Sequence, residues 1–523
     1  MGFKVGFPGT THGGHLKSLC FLPPALGTGC RARKLACDGR SPSCSQCLKS
    51  SRECGGYQYD LIFADPQTTG RRTAGRKRIT LSEVAVEPRL PTPGIGQPLS
   101  WPMNDILSLV VQNFIPRRDE TNAKSQGLTA PSRVCGSWIE VVPDLKTSGP
   151  NGHALTSSIK AFAVALTTCR RPLGAPIVDA LAAHGTALSS LQQALTRGRN
   201  EGPDELSAAI MFLFLSEIMV PACGSYGAHI GGISRLMLSR GPAYYANGTS
   251  HRIFIGCRPS QIICFILYRR ACFLEAAEWC TIPFQTSPAE PLQELMSIGA
   301  CIPSLLQAID QLEATSKQHG HFSACIDKLL DIIRRLDCWR YSYSANLSST
   351  YGRDFVAPPA SEDIWYPDIT VANSLTHYWA FWIICAVYAI QLDSGGIWSG
   401  RLGEANVVQQ EAIRSKSNLI MRSVEYLTQK KMKLFGATSL GLPGKVAYEY
   451  SQQAGDLNSV TFSNKVIKNI SEKGYSYLNA FIQSDFKILP LSTPRHQNGD
   501  QRGRTISNST ALQLKAQEER EIR

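Results

Sequence analysis

The stretch CRARKLACDGRSPSCSQCLKSSREC, residues 30–54, decides how the N-terminal part of this chain folds. Its cysteines follow the spacing C-x6-C-x6-C-x2-C-x6-C, and three of the six residues in the first interval are Arg or Lys. Zn²⁺ takes four thiolates in a tetrahedron, and two cysteines separated by two residues can hold one ion from a single tight turn. Two zinc ions need eight bonds to sulfur, which six cysteines supply only if two thiolates bridge both ions. We therefore expect a metal-bound cysteine cluster in this stretch.

The cysteines of the whole chain fall into two classes. Six of the 17 lie within residues 20–54, and the others are scattered from Cys135 to Cys385, mostly inside apolar helical patterns. Scattered cysteines of this kind behave as small buried hydrophobes. No secretory signal is expected, because Lys4 is followed by Gly, Pro and Thr rather than by an apolar run. A reducing compartment follows, which favours metal binding over disulfides for the dense N-terminal set.

The positive charge is concentrated at one end of the chain. The net charge is +13, of which residues 1–80 carry +9 and residues 494–523 carry +2. A basic N-terminal segment on an otherwise near-neutral chain indicates contact with a polyanion. The alternative interpretation is a solvated basic segment without such a partner. Residues 71–78 hold five basic residues in eight. This run is interpreted as a nuclear-import signal, a phosphate-contacting arm or an inert linker.

Composition and periodicity predict five segments and a mainly α fold class. Apolar residues recur at helical spacing through most of the chain, as in Leu181, Leu188, Leu191 and Leu195, and strand patterns are scarce. We expect a small N-terminal zinc-cluster module followed by a large all-α regulatory domain. The predicted segments are a disordered N-terminus (1–19), the cysteine cluster (20–57), a basic, Pro-rich linker (58–102), an α-helical domain (103–490) and a polar, disordered tail (491–523).

The cysteine pattern resembles the fungal binuclear zinc cluster (Zn2Cys6) family. That family's pattern is Cys-x2-Cys-x6-Cys, a loop that usually contains proline, and then Cys-x2-Cys-x6 to 8-Cys. Five of the six cysteines fit, and Pro42 lies in the loop. The resemblance implies a nuclear, sequence-specific regulator of RNA polymerase II transcription that holds two Zn²⁺ ions and binds CGG-type triplets in double-stranded DNA. The ligands it implies are Cys20, Cys30, Cys37, Cys44, Cys47 and Cys54.

The first ligand departs from the family pattern. The family's first cysteine should stand at Gly27, and the nearest substitute, Cys20, is separated from the next ligand by nine residues instead of two. The resemblance implies that the first and fourth cysteines bridge the two ions. The cysteine missing at position 27 would therefore have bound both ions. Residues 21–29 could loop out so that Cys20 still bridges, the exons could be misassigned across this region, or the cluster could be degenerate. We favour the second explanation, because removal of seven residues restores the family spacing.

The basic residues between the cysteines are predicted to contact DNA. By resemblance, the helix that starts at the second cysteine position enters the major groove, which makes Lys34 the best candidate for a base contact, with Arg33 beside it. Lys and Arg suit guanine because its O6 and N7 atoms are both acceptors. We expect Arg31, Lys49 and Arg52 to contact phosphates, which position the protein without reading sequence. Ala36 stands where the family commonly has lysine.

The region after Trp138 resembles the fungal-specific transcription factor domain that follows many such clusters. The resemblance fades after about residue 300, and the residues that carry it are 138–140, 143–145, 229–232, 240–242, 269–270 and Trp279. Arg240-Gly241-Pro242 is also interpreted as a helix stop. His229 is interpreted as a hydrogen-bonded helix residue rather than a metal ligand. The longest apolar run, Tyr378 to Ile390, has 13 residues and predicts a buried helix rather than a membrane span.

The motif survey predicts a binding protein rather than an enzyme. The chain contains no P-loop, no His-Glu-x-x-His and no Gly-x-Ser-x-Gly sequence. Expected partners are double-stranded DNA and the transcription machinery, with no membrane. A homodimer remains open, although residues 57–100 lack the heptads of a coiled coil. Two alternatives also remain open: a helical interaction or ligand-sensing protein whose degenerate cluster no longer binds DNA, and a helical enzyme with an unrelated zinc site.

Overall fold

A computed structural model describes the chain at residues 49–50, 101–116, 137–145, 147–149, 151–169, 177–197, 202–220, 226–315, 320–351, 363–393, 405–455 and 457–490. Backbone contacts divide the chain into two units, residues 1–94 and 95–523. Within the first unit the described residues are Lys49 and Ser50, and both are exposed.

The described part of the second unit is built from helices. The α-helices, numbered in chain order, are α1 (Met103–Phe114), α2 (Gly152–Thr168), α3 (Val178–Thr196), α4 (Pro203–Met219), α5 (Tyr226–Arg240), α6 (Gly248–Tyr268), α7 (Ala277–Thr281), α8 (Pro291–Gly299), α9 (Ile302–Thr315), α10 (Gly320–Tyr351), α11 (Ile369–Leu392), α12 (Ala405–Arg422), α13 (Val424–Leu427), α14 (Lys433–Ser439), α15 (Gly441–Ala454), α16 (Leu457–Glu472) and α17 (Ser476–Ile482). Five 3₁₀ helices are described as well: Ser137–Asp144, Pro242–Tyr245, Phe273–Glu275, Ile282–Phe284 and Lys430–Met432. No strand occurs among the described residues, so the predicted mainly α fold class is confirmed.

The N-terminal helices pack around α2 and α4. Helix α2 contacts α1, α3 and α4, and α4 also contacts α5 and α6. Helix α4 starts with Pro203 at its first position and carries Asp204 and Glu205 in its first turn, where the helix dipole favours negative charge. From there to Met219 it is apolar on nearly all faces, which is the pattern of a helix surrounded by others.

Helix α11 is the centre of the second group of helices. The side chain of Asp368 accepts a hydrogen bond from the Val371 backbone N–H at 2.9 Å and caps the helix. Helix α11 packs against α8, α10, α12 and α15. Two segments are long and apolar enough to cross a bilayer: helix α11 and Pro291–Leu312. Within the apolar 18-residue window of each segment, 78% and 61% of the residues, respectively, are buried inside the protein. The prediction of a buried helix over Tyr378–Ile390 is therefore confirmed.

Local backbone features set several helix boundaries. Helix α6 starts at Gly248 and holds Pro259 in its interior. Helices α16 and α17 are separated at Gly474, which adopts a φ of +87°. The stop at Arg240 is confirmed: α5 ends there, Gly241 has a φ of +77°, and Pro242 opens a 3₁₀ turn.

Candidate metal and nucleic-acid sites

Nearly all of the predicted zinc and DNA contacts lie outside the described residues. The exception is Lys49, a predicted phosphate contact, which is exposed to solvent. The residues outside are the six proposed ligands and the remaining basic residues: Cys20, Cys30, Cys37, Cys44, Cys47, Cys54, Arg31, Arg33, Lys34 and Arg52. Their roles stay predictions.

The scattered cysteines behave as the sequence indicated. The nine described ones form no disulfide, and five of them are buried: Cys257, Cys264, Cys272, Cys325 and Cys385. Burial raises the pKa of the Cys264 thiol to about 12, so this thiol stays protonated near neutral pH. These buried side chains act as core residues.

Two tryptophans that carry the second family resemblance are packing residues. Trp138 is buried, and its ring centroid lies 4.8 Å from that of Phe212 on α4. A Cβ at Gly256 would come within 2.7 Å of the Trp138 side chain, so the glycine allows α6 to lie directly against it. Trp279 is buried against the rings of Tyr245 and Phe254. These residues hold α4 and α6 in place.

Arg269 joins three helices at the end of α6. It is a non-glycine residue in the left-handed region, with a φ of +52°, and its Nε donates to Asp310 Oδ2 at 2.6 Å. The guanidinium also donates to the Tyr388 hydroxyl, which in turn donates to the Ile488 carbonyl at 2.9 Å. Burial lowers the pKa of Arg269, but Asp310 and Tyr388 outweigh it and raise the pKa above its usual value. Arg269 therefore links the end of α6 to α9 and α11 through Asp310 and Tyr388.

Lys445 and Glu449 form a buried ion pair on α15. The Lys445 Nζ lies 3.2 Å from Glu449 Oε1, and the two side chains are 0% and 3% exposed. Nζ also donates to the Ile482 carbonyl, the Ser484 carbonyl and the Ser484 hydroxyl. Glu449 Oε2 accepts from the backbone N–H groups of Ile488 and Leu489. The pair therefore holds residues 482–489 against α15.

A third buried polar group brings together one residue from each of α3, α4 and α5. Glu217 Oε1 lies 3.1 Å from His229 Nε2 and 3.3 Å from His184 Nε2. The three residues are 1%, 3% and 6% exposed, in the order Glu217, His229, His184. Burial raises the pKa of Glu217, but the two imidazoles outweigh it and lower the pKa below its usual range. The hydrogen bond expected for His229 is present and joins its Nε2 atom to Glu217 Oε1.

This cluster is the feature that the sequence reasoning missed. Glu217 and His229 are 12 residues apart, and His184 lies on a helix 33 residues before Glu217, so no short motif joins them. The signal that could have found them is burial. A histidine or a glutamate inside an apolar helical face needs a polar partner, and each of these helices contains one such residue.

Two surface grooves are found in the described part of the chain. One runs along α10 past Leu330, Asp337 and Tyr341, and the other lies between His153 on α2 and Arg197 after α3. Both are open to solvent, and neither has the enclosed apolar lining that is typical of a small-molecule pocket.

Residues 28–60 match the model of the fungal Zn(2)-Cys(6) binuclear cluster domain. The matched residues include five of the six proposed ligands and begin eight residues after Cys20. The domain binds two zinc ions, which confirms the predicted cofactor. The match covers a small part of the chain and does not extend to the helical body, whose resemblance to the fungal-specific transcription factor domain stays a prediction.

A second similarity is to an uncharacterized transcriptional regulatory protein of Schizosaccharomyces pombe. It is 32% identical over 138 residues, which cover 26% of this chain and 23% of that protein, so the match spans less than a quarter of the relative's length. No solved structure matches the chain. The two matches name a zinc cluster domain and a transcriptional regulatory protein.

Proposed function

We propose that the chain is a nuclear, sequence-specific DNA-binding regulator of RNA polymerase II transcription. The observation that carries the proposal is the cysteine pattern within residues 28–60, matched to a zinc cluster domain and filled with basic residues between its first two cysteines. The concentration of positive charge in residues 1–80 supports it, since DNA presents a dense row of phosphates. The similarity to a transcriptional regulatory protein points the same way.

Lys34 and Arg33 are proposed to read bases in the major groove of CGG-type triplets. Their side chains can donate to the O6 and N7 acceptors of guanine. Arg31, Lys49 and Arg52 are proposed to contact phosphates, and the exposure of Lys49 suits that role. The helical body from residue 103 to 490 is proposed as the regulatory part that contacts the transcription machinery.

The test compares binding of the zinc-loaded full chain to a CGG-containing duplex and to a scrambled duplex by fluorescence anisotropy. Lys34→Ala should weaken binding to the CGG duplex by about 1–3 kcal/mol more than binding to the scrambled one. The matched control is Lys49→Ala, which should weaken both by similar factors, because a phosphate contact carries no sequence information. Equal losses on both duplexes for Lys34→Ala would refute its role as a base contact.

A second candidate function is favoured by the position of the missing ligand. The family match begins after Cys20, and Gly27 stands where the first bridging cysteine belongs. A chain that lacks this thiolate leaves each ion with three sulfur ligands. The chain would then act as a helical interaction or ligand-sensing protein that does not bind DNA.

Zinc analysis of the full chain distinguishes the two functions. If Cys20 bridges, Cys20→Ser should lower both the zinc content and the affinity for the CGG duplex, whereas Cys338→Ser, a change at an exposed cysteine of α10, should alter neither. A wild-type chain that binds no zinc at the cluster and does not distinguish the two duplexes would support the second function.

A further inference from the structure

The chemistry of the buried cluster on α3, α4 and α5 is that of a metal site. It offers two imidazole nitrogens and one carboxylate oxygen, and all three atoms lie within 4.8 Å of one another. Two histidines and one glutamate are a ligand set that zinc uses in proteins, with a water at the fourth position.

The distances fit a tetrahedral ion. With Zn–N and Zn–O bonds of about 2.0–2.1 Å, neighbouring ligand atoms of a tetrahedron stand about 3.3–3.4 Å apart. Glu217 Oε1 lies 3.3 Å from the His184 nitrogen and 3.1 Å from the His229 nitrogen. The two rings are nearly perpendicular, at 84°, with their centroids 6.0 Å apart. The two nitrogens lie within 4.8 Å of each other, so a tetrahedral ion requires them to approach by at most about 1.4 Å.

His184 supplies the second, independent observation. It is 6% exposed, and neither of its ring nitrogens makes a hydrogen bond among the described residues. The Nε2 atom is at hydrogen-bonding distance from Glu217 Oε1 but is not aligned for a hydrogen bond. A buried polar atom without an aligned hydrogen bond costs about 1–3 kcal/mol, and a metal ion bound at Nε2 would offset that cost. Its Nε2 atom faces the same oxygen that His229 contacts.

We propose that His184, Glu217 and His229 bind one zinc ion that joins α3, α4 and α5. Each ligand comes from a different helix, and α4 packs against both of the others, so the ion would fix the mutual positions of three consecutive helices. The site is separate from the N-terminal cysteine cluster in its ligands and in its donor atoms, which are nitrogen and oxygen instead of sulfur. It does not depend on the proposed function of the chain in DNA binding.

The first test counts zinc in the purified full chain by mass spectrometry of the metal. The double variant His184→Gln, His229→Gln should contain one zinc ion per chain fewer than the wild type, whatever the occupancy of the cysteine cluster. The matched control is His377→Gln, because His377 is equally buried on α11 but hydrogen-bonds the Asn373 carbonyl and has no carboxylate partner. Equal zinc contents in the wild type and the double variant would overturn the proposal.

The second test removes the cysteine cluster from the measurement and does not require the histidine variants to fold. The full-length variant Cys37→Ser, Cys44→Ser, Cys47→Ser is titrated with Co²⁺ and then with Zn²⁺. Visible cobalt bands without sulfur-to-metal charge transfer, and a zinc-dependent rise in the unfolding temperature of the helices, are expected. Adding His184→Gln to this variant should remove both effects. Absence of cobalt bands together with an unfolding temperature insensitive to zinc would overturn the proposal.

Discussion

The buried ion pair of α15 allows a direct test of what holds the end of the helical body in place. In Lys445→Met, a side chain of similar length replaces the lysine, so the packing volume is kept while the charge is lost. Glu449 then stays buried, 3% exposed, without its cationic partner and with the N–H groups of Ile488 and Leu489 as its remaining partners. Removal of one member of a buried pair costs about 3–5 kcal/mol.

The geometry of the pair sets an order among the variants. Lys445→Met also removes the donor to the Ile482 carbonyl and to both Ser484 oxygens, whereas Glu449→Gln keeps an amide oxygen for the two N–H groups. We therefore expect Glu449→Gln to cost less, about 1.5–3 kcal/mol, the range for a hydrogen bond to a charged group. The double variant contains no buried charge, so its cost should fall below the sum of the single costs by roughly 2 kcal/mol.

Urea unfolding of the full chain, followed by far-UV circular dichroism, measures these costs. The matched control is Lys468→Met on α16, whose pair with Glu472 has the same i, i+4 spacing but side chains that are 79% and 63% exposed. An exposed helical pair of this kind contributes about 0.3–0.5 kcal/mol. Similar losses for Lys445→Met and Lys468→Met, or strict additivity in the double variant, would refute the reasoning.

Two further predictions concern acid stability and helix packing. Burial lowers the pKa of His377 from 6.5 to about 4, so between these pH values the unfolded chain binds a proton that the folded chain does not. The free energy of unfolding should fall by roughly 3 kcal/mol as the pH drops through this window. In His377→Gln, measured in the presence of a chelator, this fall should be smaller. The same pH profile in the variant and the wild type would contradict the argument. Gly299→Ala places a Cβ 2.4 Å from the Phe381 ring and should destabilise by about 1–3 kcal/mol, measured by thermal unfolding. Gly185→Ala, with open space around it, should instead stabilise α3 by about 0.5–1 kcal/mol, and equal effects would contradict the packing argument.

The fold class could be predicted from local patterns, while the helix boundaries could not. Helix α11 is apolar throughout and α4 opens with proline and two acidic residues, so both were evident from periodicity and composition. Arg269 ends α6 for a different reason. Its left-handed backbone is held by Asp310 and Tyr388, which lie 41 and 119 residues further along the chain, and no local rule contains those contacts.

The two proposed metal sites differ in the same way. Five of the six proposed cysteine ligands lie within 25 consecutive residues, at spacings that zinc chemistry restricts, so the sequence alone predicts them. His184, Glu217 and His229 come together only where three helices pack, so their spacing along the chain carries no signature. A site of that second kind cannot be predicted from sequence spacing.

The contacts of Ile488 have a consequence for the time at which the protein completes its folding during synthesis. Tyr388 and Glu449 both form hydrogen bonds with Ile488. The hydrogen-bond network around Arg269 and the one around the buried pair on α15 are therefore incomplete until Ile488 has left the ribosome. The cysteine-rich segment ends more than 400 residues earlier. At a synthesis rate of about 5–20 residues per second, the cysteine-rich segment emerges about 20–90 s before the last contacts of the helical domain can form. Once each of them has emerged, the apolar faces of α11 and α15 stay exposed to chaperones until Ile488 follows, and a truncation before Ile488 should prolong that exposure.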